Sequence, residues 1–477
     1  MRHQILSVLA ALLASTACGD LTSINDNPNG PTDVQPPSML SNAIQTVVDR
    51  VDGPNNNLDI RGGGLWVQYY AEIQYRDEDK YIVRPGVDGE WGMYSGPLED
   101  FQRMINKGVA AGVPNWEAVG RIMKSYVFSV MTDAMGDIPY SEAFQERALL
   151  TPKYDTQQAI YTALFADLAK ASQQIDPAGF GFKSGDIMYG GDMVEWRKFS
   201  NSLRLRLAMH LSNVDATTAA AQAQAAVAAG VFTSNADNAQ LMYLASAPDQ
   251  NPVYTNVHVD KRDDYGMSKT LVDSMLGWND PRLPIYAQPN DTTGAYQGLP
   301  NGLNDGAGPQ LKFISRFGTF WRETPAAPLA LLTYSEVLFL EAEAAERGWI
   351  TGNATQLYAD AIRASMEQYG IATTAIDAYL AQPRVVYATG AAGLTQIAYQ
   401  KWVSLFLQGM EGWTEVRRTG VPALVPGPNA VLTKIPERLP YSDNEAVLNK
   451  ANLDAAVAAQ HFSSSTDLTT PLWFTGR

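Results

Sequence analysis

Four short stretches dictate where this chain must turn helical. Asp155-Thr156-Gln157-Gln158, Asp192-Met193-Val194-Glu195, Thr333-Tyr334-Ser335-Glu336 and Asn353-Ala354-Thr355-Gln356 each set a small oxygen-bearing side chain three residues before Glu or Gln. In such a capping box the first side chain accepts from a free N–H at the helix start, and the Glu or Gln reaches back. Each cap contributes about 1 kcal/mol. Apolar residues follow at helical spacing: Ile160, Leu164 and Leu168 after the first box, Trp196, Phe199, Leu203 and Leu207 after the second. The last two boxes define one unit, a helix from Thr333 to Arg347 halted by Gly348 and a second ending at Gly370. Together they span about 37 residues, the size of a tetratricopeptide-type helical hairpin, although the repeat consensus is absent. A hairpin of this kind has an apolar face that neighbouring hairpins must cover.

Helical spacing recurs in Met39–Val48, in Trp116–Met131, in the Ala-rich run Ala216–Gly230 and in the set Ile397, Trp402, Leu405 and Phe406. The expected fold is therefore mostly α, with tetratricopeptide-like hairpins as scaffold. Between about 246 and 327 the pattern changes. Pro, Gly, Asn and Asp become dense, and helical periodicity survives only near Ser268–Leu276. A loop-rich stretch of that length carries function more often than not. It is expected to be an irregular, ligand-facing insertion on the helical scaffold.

The N-terminus reads as an address. Arg2 and His3 precede an apolar run from Ile5 to Ala14, too short for a membrane span, and Ser15-Thr16-Ala17-Cys18 follows. The single cysteine of the chain stands where a lipoprotein cleavage box needs it, although Ser15 replaces the usual Leu. The expected organisation is a signal peptide over 1–17, acylation at Cys18, a polar tether over 18–37 containing Asn25-Asp26-Asn27-Pro28-Asn29-Gly30-Pro31, and one helical domain over 38–477.

Composition narrows the function. Lys and Arg total 35 against 50 Asp and Glu, a net charge of −15, which disfavours nucleic acid as a partner. One Cys and four scattered His exclude a Cys-rich zinc site and argue against a His-based metal centre. No phosphate loop, dinucleotide-binding turn, Gly-x-Ser-x-Gly elbow or His-Glu-x-x-His pattern occurs. Gly62-Gly63-Gly64 reads as a turn. Glu341 and Glu343 face different sides of a helix and form no acid–base pair. Asp263-Asp264 lacks the further spacing of a calcium loop, and His210, His258 and His461 have no obvious partners. No catalytic residue, cofactor or metal is assigned.

Several segments, in order, resemble the SusD/RagB-like outer-membrane lipoproteins. After the box and the Asn-Pro-Asn-Gly-Pro tether come Gly136-Asp137-Ile138-Pro139-Tyr140 and Tyr189-Gly190-Gly191-Asp192 leading into Trp196-Arg197-Lys198-Phe199. Asp280-Pro281-Arg282-Leu283, Thr333 to Ala344, Gln400-Lys401-Trp402, Glu411-Gly412-Trp413, Arg417-Arg418-Thr419-Gly420 and Ile435-Pro436-Glu437-Arg438-Leu439-Pro440-Tyr441 complete the set. The resemblance implies a non-catalytic nutrient-binding protein, usually for oligosaccharides, lipid-anchored at the cell surface on the outer membrane. It also implies a partner, a TonB-dependent transporter of the SusC type. These shared segments read as architecture; Arg417 and Arg418 beside Glu411 and Trp413 suggest a structural ion-pair cluster.

Sugar rings stack on Trp and Tyr, and their hydroxyls are recognised by Asn, Asp, Arg and Gln. Two regions carry this mixture, Trp66–Tyr94 and the loop-rich stretch. Tyr75, Arg76 and Tyr81 follow a helix among charged neighbours and are expected to be exposed. With Asp260, Arg262, Tyr265, Tyr296 and Trp321 they form the expected ligand-binding set, the scaffold bringing the segment near position 75 beside the loop at 260–321. A peptide or other nutrient, or a protein-interaction scaffold without a small ligand, are the alternatives that the sequence leaves open.

Overall fold

A computed structural model of the chain describes residues 34–54, 58, 62–84, 91–145, 148–182 and 184–477. The signal peptide, Cys18 and most of the tether lie outside these residues. Helix covers 53% of the structure and strand 4%, which settles the class as α.

The helices follow one another as packed pairs. Helix α1 (Pro36–Val51) opens on two prolines, at the last two positions of the expected tether, and buries Leu40, Ala43, Ile44, Val47 and Val48 along one stripe. Helices α2 (Glu99–Ala111) and α3 (Pro114–Met135) form a tight hairpin across Gly112, whose φ of +65° ends α2 in a left-handed turn. Their backbones approach closely because Gly108 and Gly120 face the partner helix. A Cβ on Gly108 would lie 2.6 Å from the Glu117 N, and one on Gly120 would lie 2.9 Å from the Phe101 O. Helix α3 is apolar on nearly all sides from Ile122 onward and becomes the central rod of the core. Helices α4 (Gln157–Gln174), α5 (Met193–His210) and α6 (Ala216–Ala229) then pack in succession, each on the one before.

Four short strands accompany the helices: β1 (Tyr70–Glu72), β2 (Ala239–Leu241), β3 (Tyr265–Met267) and β4 (Leu329–Leu332). β1 pairs antiparallel with β3, Ala71 opposite Gly266, and β2 pairs antiparallel with β4 through a bulge at Ala239/Gln240. Helix α7 (Lys269–Gly277), capped by Ser268, is the longest regular element of the loop-rich stretch. Beyond it lie the hairpin α8 (Tyr334–Glu346) and α9 (Ala354–Glu367), then α10 (Thr373–Leu380), α11 (Ala391–Ser404), α12 (Gly409–Thr419) and α13 (Lys450–Ala459). One buried apolar cluster takes residues from Met39 to Phe474, and a smaller one fills the interior of the α8–α9 hairpin.

Three of the four boxes start helices at the expected residue: Asp192, Thr333 and Asn353 accept from the free N–H groups of α5, α8 and α9. The first helix begins one residue later than expected, because Thr156 is its cap. Asp155 instead accepts from the N–H groups of Tyr140 and Ser141 and holds the Gly136–Ser141 turn. The third-position side chains are engaged elsewhere than at the cap. Glu195 pairs with Lys198, Gln356 donates to Asp360, and Glu336 turns inward to Arg206. Each finds a side-chain partner in place of the local back-bond, and for Glu336 that partner is buried.

Candidate functional site

β1 and β3 bring together the two stretches that the sequence marks. Past the strand pair, Ile73 N–H donates to the Asp264 carbonyl. The Asp264 carboxylate then gathers the loops: Arg262 Nε donates at 2.5 Å, Gln74 Nε2 at 2.6 Å and Asn256 Nδ2 at 3.0 Å. These donors hold its carboxyl below the usual range even though burial acts the other way. Over this knot stands Tyr75, 60% exposed, with the Arg262 guanidinium 5.9 Å from its ring centroid. Arg84 Nη2 donates to the Tyr75 carbonyl and to Glu78. Asp260 is exposed two residues before Arg262. Tyr75, Arg262 and Asp260 thus lie on linked loops, a flat ring beside a cation.

The backbone beneath them is strained. Among the described residues, nine non-glycine residues have positive φ, and Gln68, Tyr75, Tyr81, Lys261 and Asp263 fall in these two segments. Such conformations cost on the order of 1–3 kcal/mol each and persist where the surroundings enforce them.

Two of the three residues expected to be exposed, Arg76 and Tyr81, are interior, and so is Tyr265 of the expected ligand-binding set. Arg76 is 3% exposed, and its guanidinium donates to the carbonyls of Ile73, Asn304 and Ala307, so it fastens one loop to another. Tyr81 is buried edge-on against Trp66, which itself meets Trp413. Tyr265, on β3, packs edge-on to Tyr70. Each sits beside charged residues in sequence; β1–β3 pairing turns Tyr265 inward, loop carbonyls take in Arg76, and Tyr81 packs on Trp66. Tyr296 is half-buried before the 297–299 stretch that lies along β3. Trp321 is buried as well and lines a separate cleft of about 300 Å³ near β2 and β4, with Phe320, Tyr369, Phe406 and Gln408. The cleft residues come from four distant stretches of chain, none carrying a local motif.

Beneath the Tyr75 loop lies a buried carboxylate pair. Glu72 N–H donates to Asp79 and Asp79 N–H to Glu72, both at 3.3 Å, while Asn301 Nδ2 donates to Asp79 at 2.7 Å. Burial, then the neighbouring Asp79 charge, pushes Glu72 up to about 10. Burial pushes Asp79 up to about 7 against its hydrogen bonds. Glu72 is thus protonated at neutral pH.

Asp263 and Asp264 are filled by arginines and amides. Arg322 makes two contacts to Asp263, and Arg316 lies at 3.3 Å. His210 has partners that its sequence neighbourhood does not reveal: Asp133 at 3.0 Å on one nitrogen and Glu411 at 3.0 Å on the other. Burial opposes its charge, but Glu411 and Asp133 outweigh it and raise its pKa to about 9. Around it Arg206 pairs with Glu336, Lys401 with Glu415, and Arg418 with Glu343 and Glu415. The ligand atoms of His210, Glu411 and Glu415 lie within 4.8 Å of one another, a spacing a metal could use. Arg206 and Lys401 already approach those carboxylates, so the group is an ion-pair lattice joining α3, α5, α8, α11 and α12. Arg418 fits the expected ion-pair cluster, with Glu415 and Glu343 as its acids. Arg417 departs from it: its guanidinium lies 3.5 Å from the Trp413 ring centroid and donates to the carbonyls of Asp133 and Glu437.

The family whose description is "Starch-binding associating with outer membrane", the SusD-like family, matches residues 28–442. The chain belongs to the SusD-like family. A chitin-binding protein shares 29% identity and a TM-score of 0.81, over 93% of this chain and all of that one. A SusD homologue from Bacteroides uniformis gives 26% identity and a TM-score of 0.83 over the same shares. A chitin-binding SusD homologue from Flavobacterium johnsoniae gives 26% and 0.80, over 91% of this chain and 97% of that one. No curated protein matches. The SusD-like family consists of non-catalytic binding proteins, so the chain is a binder and not an enzyme. It is an outer-membrane nutrient-binding protein by the same membership. Among the described residues no helix is long and apolar enough to cross a membrane.

Proposed function

We propose that this SusD-like protein captures oligosaccharides outside the cell, on the surface built around Tyr75 and Arg262, and passes them to a TonB-dependent transporter of the SusC type. The observation that carries this reading is the Tyr75 ring, 60% exposed on a strained turn and flanked by a guanidinium that Asp264 fixes. A large aromatic has no folding reason to stand in water on a costly backbone. A pyranose presents a flat C–H face to such a ring, and Arg262 and Asp260 offer a donor and an acceptor to its hydroxyls. Chitin is the polymer that two related solved proteins bind by name, so chito-oligosaccharides are the first ligands to test.

Anchoring is proposed through acyl chains on Cys18, with residues 1–17 removed and the following polar stretch as tether. Cys18→Ala should then release the protein from the membrane fraction of cells lacking the transporter, and retention there would refute the anchor. For the ligand surface, Tyr75→Ala should weaken binding by roughly 1–3 kcal/mol, by analogy with other aromatic stacking. Calorimetry with chitohexaose, maltohexaose and a mixed peptide library measures this, with a thermal melt alongside. Undiminished glycan affinity in Tyr75→Ala, or binding of peptides alone, would overturn the reading.

A further inference from the structure

The cleft floored by Trp321 is a separate feature from the Tyr75 surface, and its chemistry is specific. Among the described residues that line it none is charged. One wall is aromatic and rigid: Trp321 and Tyr369 meet edge-on at 5.9 Å, and Phe406 is held in place by stacking on Tyr286 at 4.4 Å. The opposite chemistry is carboxamide, from Asn and Gln side chains that offer donors and acceptors together.

Among the described residues, three polar atoms on the lining find no hydrogen-bond partner: Trp321 Nε1, Gln408 Oε1 and Asn235 Oδ1. Trp321 and Gln408 are 3% and 5% exposed, so what little of them is open faces the cleft. An unsatisfied buried polar atom costs about 1–3 kcal/mol. Finding them together on one cleft, when nearly all buried polar groups in proteins are paired, points to a missing partner. The backbone is strained there too: Leu407, beside Gln408, has a φ of +67°. That conformation turns the 406–408 segment so that Phe406, Leu407 and Gln408 all line the cleft.

We propose that this cleft is a second binding site, for one neutral, hydroxyl-rich ring: a free monosaccharide or the terminal unit of a glycan. The absence of charge in the lining selects against anionic and cationic ligands, which would be desolvated without compensation. The amides select against a purely apolar ligand, which would leave them unpaired. A volume of about 300 Å³ lies at the small end of ligand pockets and fits one ring. The indole N–H donates to a ring hydroxyl, Gln408 Oε1 and Asn235 Oδ1 accept from others, and the aromatic wall takes the C–H face. This site does not depend on the Tyr75 reading.

The test is a titration of the full chain in detergent, with the Trp321 indole N–H resonance as readout and Trp321→Phe used to assign it. Probes are methyl β-glucoside, N-acetylglucosamine, galacturonate and chitohexaose. The neutral monosaccharides should shift the Trp321 signal saturably, and galacturonate should not. Chitohexaose shifting the same signal identifies a chain-end site; no shift with it identifies a free-monosaccharide site. Gln408→Leu should weaken the response about tenfold, the loss of roughly one hydrogen bond. Asn235→Leu, at a less buried position, gives the same reading if Gln408→Leu does not fold. Tyr75→Ala should leave the response unchanged. A Trp321 signal indifferent to every neutral sugar, an equal response to galacturonate, or unchanged affinity in both amide variants would overturn the proposal. Loss of the response in Tyr75→Ala would show one continuous site and overturn it too.

Discussion

Replacing Arg206 by Met probes what holds the helical scaffold together. Arg206 is 3% exposed and Glu336 fully buried. Its guanidinium makes two bonds to Glu336, at 2.6 and 2.5 Å, and one to the Leu331 carbonyl at 2.8 Å, with Glu411 at 3.5 Å. Met keeps much of the volume and removes all of these. A buried carboxylate then stands without its cation, which costs about 3–5 kcal/mol. Glu336 is already raised by burial, and losing Arg206 raises it further, so it takes up a proton to relieve the penalty. Urea denaturation followed by circular dichroism should show the loss at pH 8 and a smaller one at pH 5, with unchanged m. The double variant Arg206→Met/Glu336→Leu should recover about 1–4 kcal/mol over the single one, because no orphan charge remains. A single-variant loss under 1 kcal/mol, or a double variant as unstable as the two losses added, would refute the argument. Affinity for a glycan should be untouched in either folded variant, since the lattice lies apart from the Tyr75 loops.

His210 stabilises the fold only while protonated. Its pKa is about 9 when folded against an ordinary 6.5, so the contribution is complete below pH 6.5 and lost as pH rises through 9, about 3 kcal/mol in all. His210→Gln should flatten the fall in stability across that window, and an unaltered pH profile would contradict the assignment. Glu72 has the opposite economy of charge: raised to about 10, it is a liability as pH climbs from 4.5. Glu72→Gln should therefore stabilise by up to about 6 kcal/mol at pH 9 and hardly at pH 4, read from chemical melts. Gly64→Ala would set a Cβ against the Tyr70 hydroxyl and 2.5 Å from its ring. Overpacking of about 1–3 kcal/mol should appear as a lowered melting temperature.

The scaffold was legible because its signals are local. Caps, stop glycines and apolar stripes lie within one helix, so Thr333, Asn353, Gly348 and Gly370 could be read directly. Thr156 shows the margin of error: two adjacent residues could cap, and tertiary demand on Asp155 decided between them. The ligand-facing set was half legible. The juxtaposition of position 75 with position 262 followed from composition, but the side a residue faces is set by pairing and packing, for Tyr265 by β1–β3 pairing. A one-residue change of register turns a strand over, and no signal in Glu72 or Tyr265 itself sets that register. The Trp321 cleft was illegible for a different reason. Asn235, Tyr369 and Gln408 sit at the edges of separate elements and meet only once the elements have packed.

The seam between the segment at 62–84 and the far end of the chain has a consequence for the order of assembly. Tyr69 Oη donates to the Trp402 carbonyl, and Trp402 Nε1 donates to the Val67 carbonyl, across sequence separations of 333 and 335. The α2–α3 hairpin, by contrast, closes over two residues. Loop-closure entropy favours the near contacts, so the hairpins form early and the long seam late. The Tyr75 platform hangs on that seam. On the proposed reading of that platform, competence to bind is then the last property this chain acquires as it folds, and the first it surrenders when local opening begins, with the hairpins still intact.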